Sequence, residues 1–158
     1  MAVIASAPPK RKAWDIPPFW FVIALALMVA LHWLVPIAQL IAWPWSLAGS
    51  VLVVAGIALA VAAERRFKRA GTAVRPFEPS TALVEGGPFR FTRNPMYLGM
   101  VLVLAGASIL LGSLSPLCVL PAFVWLLHAR FVVHEEAHME RHFGERYLAY
   151  KRGVRRWL

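Results

Sequence analysis

Two long stretches of the chain, residues 16–63 and residues 94–129, contain no Asp, Glu, Lys or Arg. One charged side chain at the centre of a bilayer costs about 2.5–3.5 kcal/mol on insertion scales, so uncharged stretches this long are typical of membrane-spanning segments. A mean hydropathy of +0.61, with 59% hydrophobic residues, is also too apolar for an ordinary soluble domain. The sequence therefore predicts an all-α, polytopic membrane protein.

Four helices are expected to cross the bilayer, at about residues 17–40, 43–63, 95–111 and 116–133. The turn at residues 112–115, Gly-Ser-Leu-Ser, joins the last two into an antiparallel hairpin. The chain is interpreted as one domain of five segments: a basic arm (1–15), two spans (16–63), a polar segment (64–94), a helical hairpin (95–133) and C-terminal surface helices (134–158). The pattern does not indicate an oligomeric state.

The positive charges predict the orientation of the chain in the membrane. All 17 Lys and Arg residues lie in the basic arm, in the polar segment, or from Arg130 onward, and the turns between the spans have none. By the positive-inside rule, the N- and C-termini are expected to be cytoplasmic. The net charge of +9 accompanies no nucleic-acid motif, so contact with membrane lipids is favoured over a nucleic-acid partner. The short chain favours a bacterial inner membrane.

Residues 134–138 read His-Glu-Glu-Ala-His, which matches the H-E-x-x-H pattern of zinc metallopeptidases. On a helix, His134 and His138 are one turn apart and could share a metal ion, but His142 is about 12 Å from His134 along the axis and cannot join them. No motif elsewhere supplies a third ligand, so we expect no metal site and prefer a charged helix at the membrane surface. The single Cys118 is expected to be buried and inert.

A longer pattern surrounds these residues. Residues 81–99 read TALVEGGPFRFTRNPMYLG, residues 135–136 are Glu-Glu, and residues 143–150 read FGERYLAY. Together they resemble the isoprenylcysteine carboxyl methyltransferase family. Its pattern is a T-L-V-x-x-G-P-Y-R-Y-x-R-H-P-x-Y-x-G block, a helical hairpin, and then E-E-x-x-L-x-x-x-F-G-x-x-Y-x-x-Y. The similarity covers about residues 72–157, and phospholipid N-methyltransferases are more distant relatives.

The resemblance implies an enzyme that transfers a methyl group from S-adenosylmethionine, on the cytoplasmic side, to a lipophilic acceptor such as the carboxylate of a prenylated thiol acid. Carried over by position, the cofactor contacts are Thr81, Leu83, Val84, Phe89, Asn94, Pro95, Met96, Tyr97 and Glu135. Glu135 would bind the ribose or the ammonium group, and Tyr97 and Phe89 would stack on adenine or face the sulfonium. Arg93 and Arg130 would orient the acceptor. The hairpin is expected to bring Tyr97 and Glu135 to one membrane face.

Three positions depart from the family pattern. Asn94 replaces the histidine of eukaryotic members, Phe89 replaces a tyrosine, and His138 replaces a leucine, so a role for an imidazole at position 94 is not carried over. Glu136 is expected to support its helix, and Gly144 to weaken or break it.

Structural roles and other functions stay open at this point. Pro95 could only start a helix, Tyr97 could be an interfacial anchor, and Arg93 and Arg130 could be flanking cations. A membrane reductase that uses NADPH is one alternative function, because sterol reductases have a distantly similar C-terminal region. A non-catalytic membrane scaffold is another. Binding of a nicotinamide cofactor would favour the reductase, and a scaffold would bind no small-molecule cofactor.

Overall fold

The computed structural model of the protein describes residues 15–71 and 82–158. These residues form helices and turns, with one isolated bridge between Gln39 and Ser113. The elements are α1 (Pro17–Leu34), a 3-10 turn (Trp45–Ala48), α2 (Gly49–Arg69), a second 3-10 turn (Gly87–Arg90), α3 (Pro95–Leu111), α4 (Leu114–Leu117), α5 (Val119–Leu127), a π-helical turn (His128–Val132), α6 (Val133–Phe143) and α7 (Glu145–Gly153).

The predicted all-α membrane fold is confirmed. Within residues 15–71 and 82–158, three helical stretches are long and apolar enough to cross a membrane, Pro17–Leu34, Trp45–Arg69 and Leu114–Phe143, and α3 is a shorter apolar helix. The third predicted span agrees with α3, which begins at Pro95 and ends where Gly112 adopts the left-handed conformation at φ 74°. Most of the basic arm, residues 1–14, lies outside the described residues, as does the centre of the polar segment.

The first predicted span had a wrong inner boundary, and the second helix extends beyond the predicted end of its span. The first helix ends at Leu34 instead of near residue 40, and the second begins at the 3-10 turn and continues to Arg69. Residues between them leave the helix because their backbone bonds to the hairpin turn. The amides of Leu40 and Ile41 donate to the Gly112 carbonyl at 2.7 and 3.0 Å, and the amide of Leu114 donates to the Ala38 carbonyl at 2.9 Å.

Helices α2 and α3 pack against each other along their length at two pairs of glycines. A Cβ atom at Gly56 would lie 2.5 Å from the Gly99 carbonyl oxygen, and one at Gly99 would lie 2.6 Å from the Gly56 carbonyl oxygen. Gly49 and Gly106 form a second reciprocal pair of this kind. The backbones of an antiparallel pair therefore approach more closely than any side chain would allow, as in small-residue contacts between membrane helices. Gly99 and Gly106 are the residues of α3 that allow this close approach.

Helix α1 covers the hairpin on another side and closes the core. Met28 of α1 packs with Leu104 of α3 and with Leu127 and Phe131 of the Leu114–Phe143 stretch, and all four are fully buried. Cys118, expected to be buried, is exposed. It lies at the break between α4 and α5, next to the packed face that carries Val119, Phe123 and Leu127.

Candidate functional site

The first turn of α3 meets the first turn of α6 at one end of the hairpin. The Tyr97 hydroxyl donates a hydrogen bond to the Glu135 carboxylate at 2.6 Å. The Tyr97 ring is buried and lies 6.4 Å from the ring of Phe131, which belongs to the π-helical turn just before α6. The predicted proximity of Tyr97 and Glu135 is confirmed. A half-buried carboxylate beside an aromatic ring is a combination that can bind a cationic group.

Phe89 lies between α2 and the C-terminal helix. Its buried ring packs edge-to-face on Phe67 of α2, with centroids 5.1 Å apart. Its carbonyl oxygen accepts a hydrogen bond from the Tyr150 hydroxyl at 2.7 Å. Burial raises the pKa of Tyr150 to about 12, so this hydroxyl remains a donor well above neutral pH. The second 3-10 turn is thereby fixed to α7.

Glu136 is a buried carboxylate surrounded by cations. The Arg156 guanidinium donates to both of its oxygens, at 2.9 and 2.8 Å, and an Arg93 nitrogen lies 3.1 Å from Oε1. The Lys151 ammonium, 3.9 Å from Oε2, also forms an ion pair with Glu140. The hydrogen bonds to Glu136 raise the pKa of Arg156. A planar fork on a carboxylate is the strongest form of such a contact, so this cluster holds α6 to the C-terminal residues.

The segment before α3 is bonded to the same C-terminal residues. The Thr92 hydroxyl and the Asn94 side-chain amide both donate to the Arg156 carbonyl, at 3.1 and 3.0 Å. The Arg93 amide donates to the Arg155 carbonyl at 2.9 Å. Asn94, the residue that immediately precedes α3, therefore uses its side chain within the protein.

The other predicted site residues occupy varied positions. Leu83 and Pro95 are buried, whereas Val84 and Met96 are half-buried, and Thr81 lies outside the described residues. The structure connects Phe89, Arg93, Asn94, Tyr97 and Glu135 through α6, α7 and the C-terminal residues.

Arg130 has a different set of partners. It pairs with Asp15 at 2.9 Å and lies over the Trp20 ring, 5.1 Å from the centroid, while Trp20 also donates to Asp15 at 2.9 Å. Almost half of the Arg130 side chain is exposed. The structure thus ties Arg130 to the start of α1.

Sequence reasoning missed the partners of Glu136. Arg156, which holds both oxygens of Glu136, and Thr92, which donates to the Arg156 carbonyl, carry no motif of their own, and Glu136 was expected only to support its helix. The one available signal was the Glu-Glu pair. Adjacent positions on a helix point about 100° apart, so the two carboxylates must meet different groups. Glu135 meets Tyr97, and Glu136 meets the arginines.

The histidines of α6 form no recognisable metal site. Within residues 15–71 and 82–158, no group of three or more His, Cys, Asp or Glu side chains could hold a metal ion. The rings of His138 and His142 stack in parallel with centroids 6.2 Å apart. Among the residues that the structure describes, two buried side-chain nitrogens have no hydrogen-bond partner: Nε2 of His138 and Nε of Arg93.

Comparison with known proteins agrees with the pattern of residues. A family model described as phospholipid methyltransferase matches residues 45–146, from the first 3-10 turn to the start of α7. This family of integral-membrane methyltransferases is related to the isoprenylcysteine carboxyl methyltransferases, so the resemblance is confirmed. A protein described as uncharacterized, from Haemophilus influenzae, is 39% identical over 64 residues, which are 40% of this chain and all of that relative. No solved structure matches the chain.

Proposed function

The chain belongs to the phospholipid methyltransferase family, and we propose that it uses S-adenosylmethionine to methylate a lipophilic acceptor at the cytoplasmic face of the membrane. Membership of the family makes it an integral-membrane methyltransferase. The cofactor proposal is carried by the hydrogen bond of 2.6 Å between Tyr97 and Glu135, which joins the two separated motifs at one end of the hairpin.

The residues around this bond fit the chemistry of the cofactor. S-adenosylmethionine carries a cationic sulfur, an ammonium group and ribose hydroxyls, which suit a carboxylate and aromatic rings. When bound, it supplies an electrophilic methyl group, and because displacement at the sulfonium consumes charge, a dry site favours the transfer. We assign its contacts to Glu135 and Tyr97 together with Thr81, Leu83, Val84, Phe89, Asn94, Pro95 and Met96. Asn94 would line the site, since its side-chain amide, backbone amide and carbonyl already bond to Arg156, Thr92 and Leu98.

The two candidate arginines differ in their availability to an acceptor. The Arg93 side chain is 8% exposed and faces Glu136, whereas that of Arg130 is 46% exposed. We therefore assign orientation of an acidic acceptor group, such as the carboxylate of a prenylated thiol acid, to Arg130. Arg93 then holds Glu136 in place. An acceptor with an apolar tail would reach Arg130 from the bilayer, at the interface where such side chains lie.

The same arrangement supports a single domain with one orientation in the membrane. We propose that residues 1–158 form one membrane domain with both termini in the cytoplasm. The basic residues at the end of α2 and on α6 and α7 support this orientation. A similar sequence in Haemophilus influenzae supports a bacterial origin, and we propose the bacterial inner membrane as the location.

The first experiment is equilibrium binding of labelled S-adenosylmethionine to the purified protein in lipid nanodiscs. We expect wild type to bind, Glu135→Ala to abolish binding, and Tyr97→Phe to weaken it several-fold because the carboxylate loses its hydrogen bond. His138→Ala, on the same helix, is the matched control and should bind like wild type. Folded wild-type protein that fails to bind S-adenosylmethionine but binds NADPH would overturn the proposal in favour of a reductase.

A further inference from the structure

The last residues of the chain lie across the segment that precedes α3. Residues 154–158, the C-terminal strap, supply carbonyl oxygens to three successive residues of that segment. Arg155 accepts from the Arg93 amide at 2.9 Å, and Arg156 accepts from Thr92 and Asn94 at 3.1 and 3.0 Å. Thr92 and Asn94 are buried. The strap is therefore part of the packed structure at the start of α3.

The same strap is bonded to α6 by the Arg156 side chain. Its guanidinium donates to both oxygens of Glu136, whose side chain is only 6% exposed. Trp157, next in the chain, packs against the core as a partly buried side chain. One residue, Arg156, thus contacts both sides of the proposed cofactor site: its carbonyl contacts the segment before α3, and its guanidinium contacts α6.

The contacts of Arg156 lie next to the two main residues of the proposed cofactor site. Asn94 immediately precedes α3 and lies three residues before Tyr97, which is in the first turn of that helix. Glu136 immediately follows Glu135 in α6. Tyr97 and Glu135, which share the hydrogen bond, are therefore each close in the chain to a residue that binds Arg156: Asn94 for Tyr97 and Glu136 for Glu135. Sites of this kind need their binding groups held within about 0.5 Å by surrounding contacts.

We infer that Arg156 is a positioning residue, which acts through Glu136 and Asn94 to hold Glu135 and Tyr97 in the geometry that binds the cofactor. The inference rests on the proposed function, because it assigns the held geometry to S-adenosylmethionine binding. Arg156 itself contacts neither cofactor nor acceptor. Removal of the Arg156 side chain leaves the buried Glu136 with Arg93 and the more distant Lys151. A buried carboxylate that is incompletely paired is destabilising, so α6 shifts to give Glu136 other partners.

The test compares Arg156→Ala with Arg155→Ala, which removes a neighbouring, exposed arginine side chain of the same charge. Both variants keep the backbone carbonyls of the strap. Cofactor affinity is measured in nanodiscs at a temperature well below the thermal midpoint of each variant, so that only folded protein is compared. We expect Arg156→Ala to bind S-adenosylmethionine about tenfold more weakly and Arg155→Ala to bind like wild type.

Chemical rescue separates positioning from general stability. Guanidinium chloride at millimolar concentration should restore binding to Arg156→Ala, because the ion can occupy the space beside Glu136, whereas sodium chloride at the same concentration should not. Arg156→Lys, which keeps the charge but loses the fork, should bind with intermediate affinity. If Arg156→Ala does not fold, Arg156→Lys decides the test: wild-type affinity in that variant overturns the inference.

The outcomes distinguish this inference from the proposed function. If wild type binds the cofactor and Arg156→Ala binds equally well, or Arg155→Ala is weakened as much, the positioning role is wrong and the proposed function stands. If wild type does not bind, the proposed function fails and the positioning role fails with it. Hydrogen exchange at the Arg93 amide, measured without cofactor, should accelerate in Arg156→Ala, and unchanged protection would also overturn the inference.

Discussion

Two of the chain's three tyrosines, Tyr147 and Tyr150, lie in α7 with pKa values above the ordinary value of about 10. Burial and then the negative charge of Glu136 raise the pKa of Tyr147, and burial raises the pKa of Tyr150 to about 12. In the folded protein, therefore, neither hydroxyl should ionise near pH 10. Absorbance at the tyrosinate band, measured against pH, should show two tyrosines ionising only above that pH.

The same shift predicts how stability depends on pH. A folded-state pKa above the unfolded value means that the folded state holds its proton more tightly, so the contribution of Tyr150 is complete below about pH 10 and is lost as pH rises through about 12. Titration of Tyr97→Phe should retain both delayed ionisations, whereas Tyr150→Phe should lose one. Ionisation of Tyr147 and Tyr150 near pH 10 in folded protein would contradict the burial of α7.

Single residues differ in how far sequence alone could place them. Tyr97 and Glu135 lie in motifs whose order and spacing could be recognised, and the hairpin between them explains why they meet. Glu136 and Arg156 are 20 residues apart, and nothing in their local pattern distinguishes them from solvated surface charges. Their pairing depends on how α7 folds back at Gly144, whose backbone has φ 53°. The sequence predicted a break there but not the direction in which the chain continues.

At the scale of helices, the close contact between α2 and α3 should tolerate no side chain at its glycines. In Gly106→Ala, the new Cβ would approach the Gly49 carbonyl oxygen and lie 2.8 Å from Val53 atoms. Because such overpacking typically costs about 1–3 kcal/mol, the thermal midpoint in detergent should decrease. Gly153→Ala is the matched control, since nothing lies within 4 Å of its Cβ. Equal midpoints in both variants would show that the two helices can separate without cost.

Helix identity was more predictable than helix partners or ends. The lack of charge in two long stretches predicted the apolar helices, and α3 was placed correctly because Pro95 and Gly112 mark its two ends. Small residues such as Gly99 and Gly106 are typical of close packing between membrane helices, but their partners Gly49 and Gly56 lie in a helix that hydropathy alone does not assign as the neighbour. The end of α1 at Leu34 depends on hydrogen bonds to the distant Gly112, which no local pattern records.

At the scale of the whole molecule, the loop between α1 and α2 and the turn between α3 and α4 lie at one end. Their backbones bond to each other, and the His32 ring lies 2.7 Å from the Ser113 hydroxyl. Neither connection has a Lys or Arg residue. The Tyr97–Glu135 pair, the Glu136 cluster and the basic residues of α7 belong to the opposite ends of these helices. The proposed site and the basic residues should therefore share one side of the membrane.

This arrangement predicts which residues are accessible from each side. Cys118→Ala gives a cysteine-free background, into which Gln39→Cys places a thiol in the uncharged loop and Arg152→Cys places one on the exposed surface of α7. In intact bacterial cells whose outer membrane has been made permeable, a membrane-impermeant maleimide should label Gln39→Cys. Arg152→Cys should react only after the inner membrane is lysed, because the positive-inside rule keeps the basic end in the cytoplasm.

Labelling also tests the number of crossings, since α3 has only 17 residues and a length of about 26 Å against a hydrocarbon core of about 30 Å. If α3 failed to cross, the C-terminal residues would follow three crossings and lie on the same side as the loop after α1. Arg152→Cys would then react in intact cells together with Gln39→Cys. If Gln39→Cys is labelled in intact cells and Arg152→Cys is not, the chain must cross the membrane an even number of times. The proposed cofactor site then faces the cytoplasm, where S-adenosylmethionine is made.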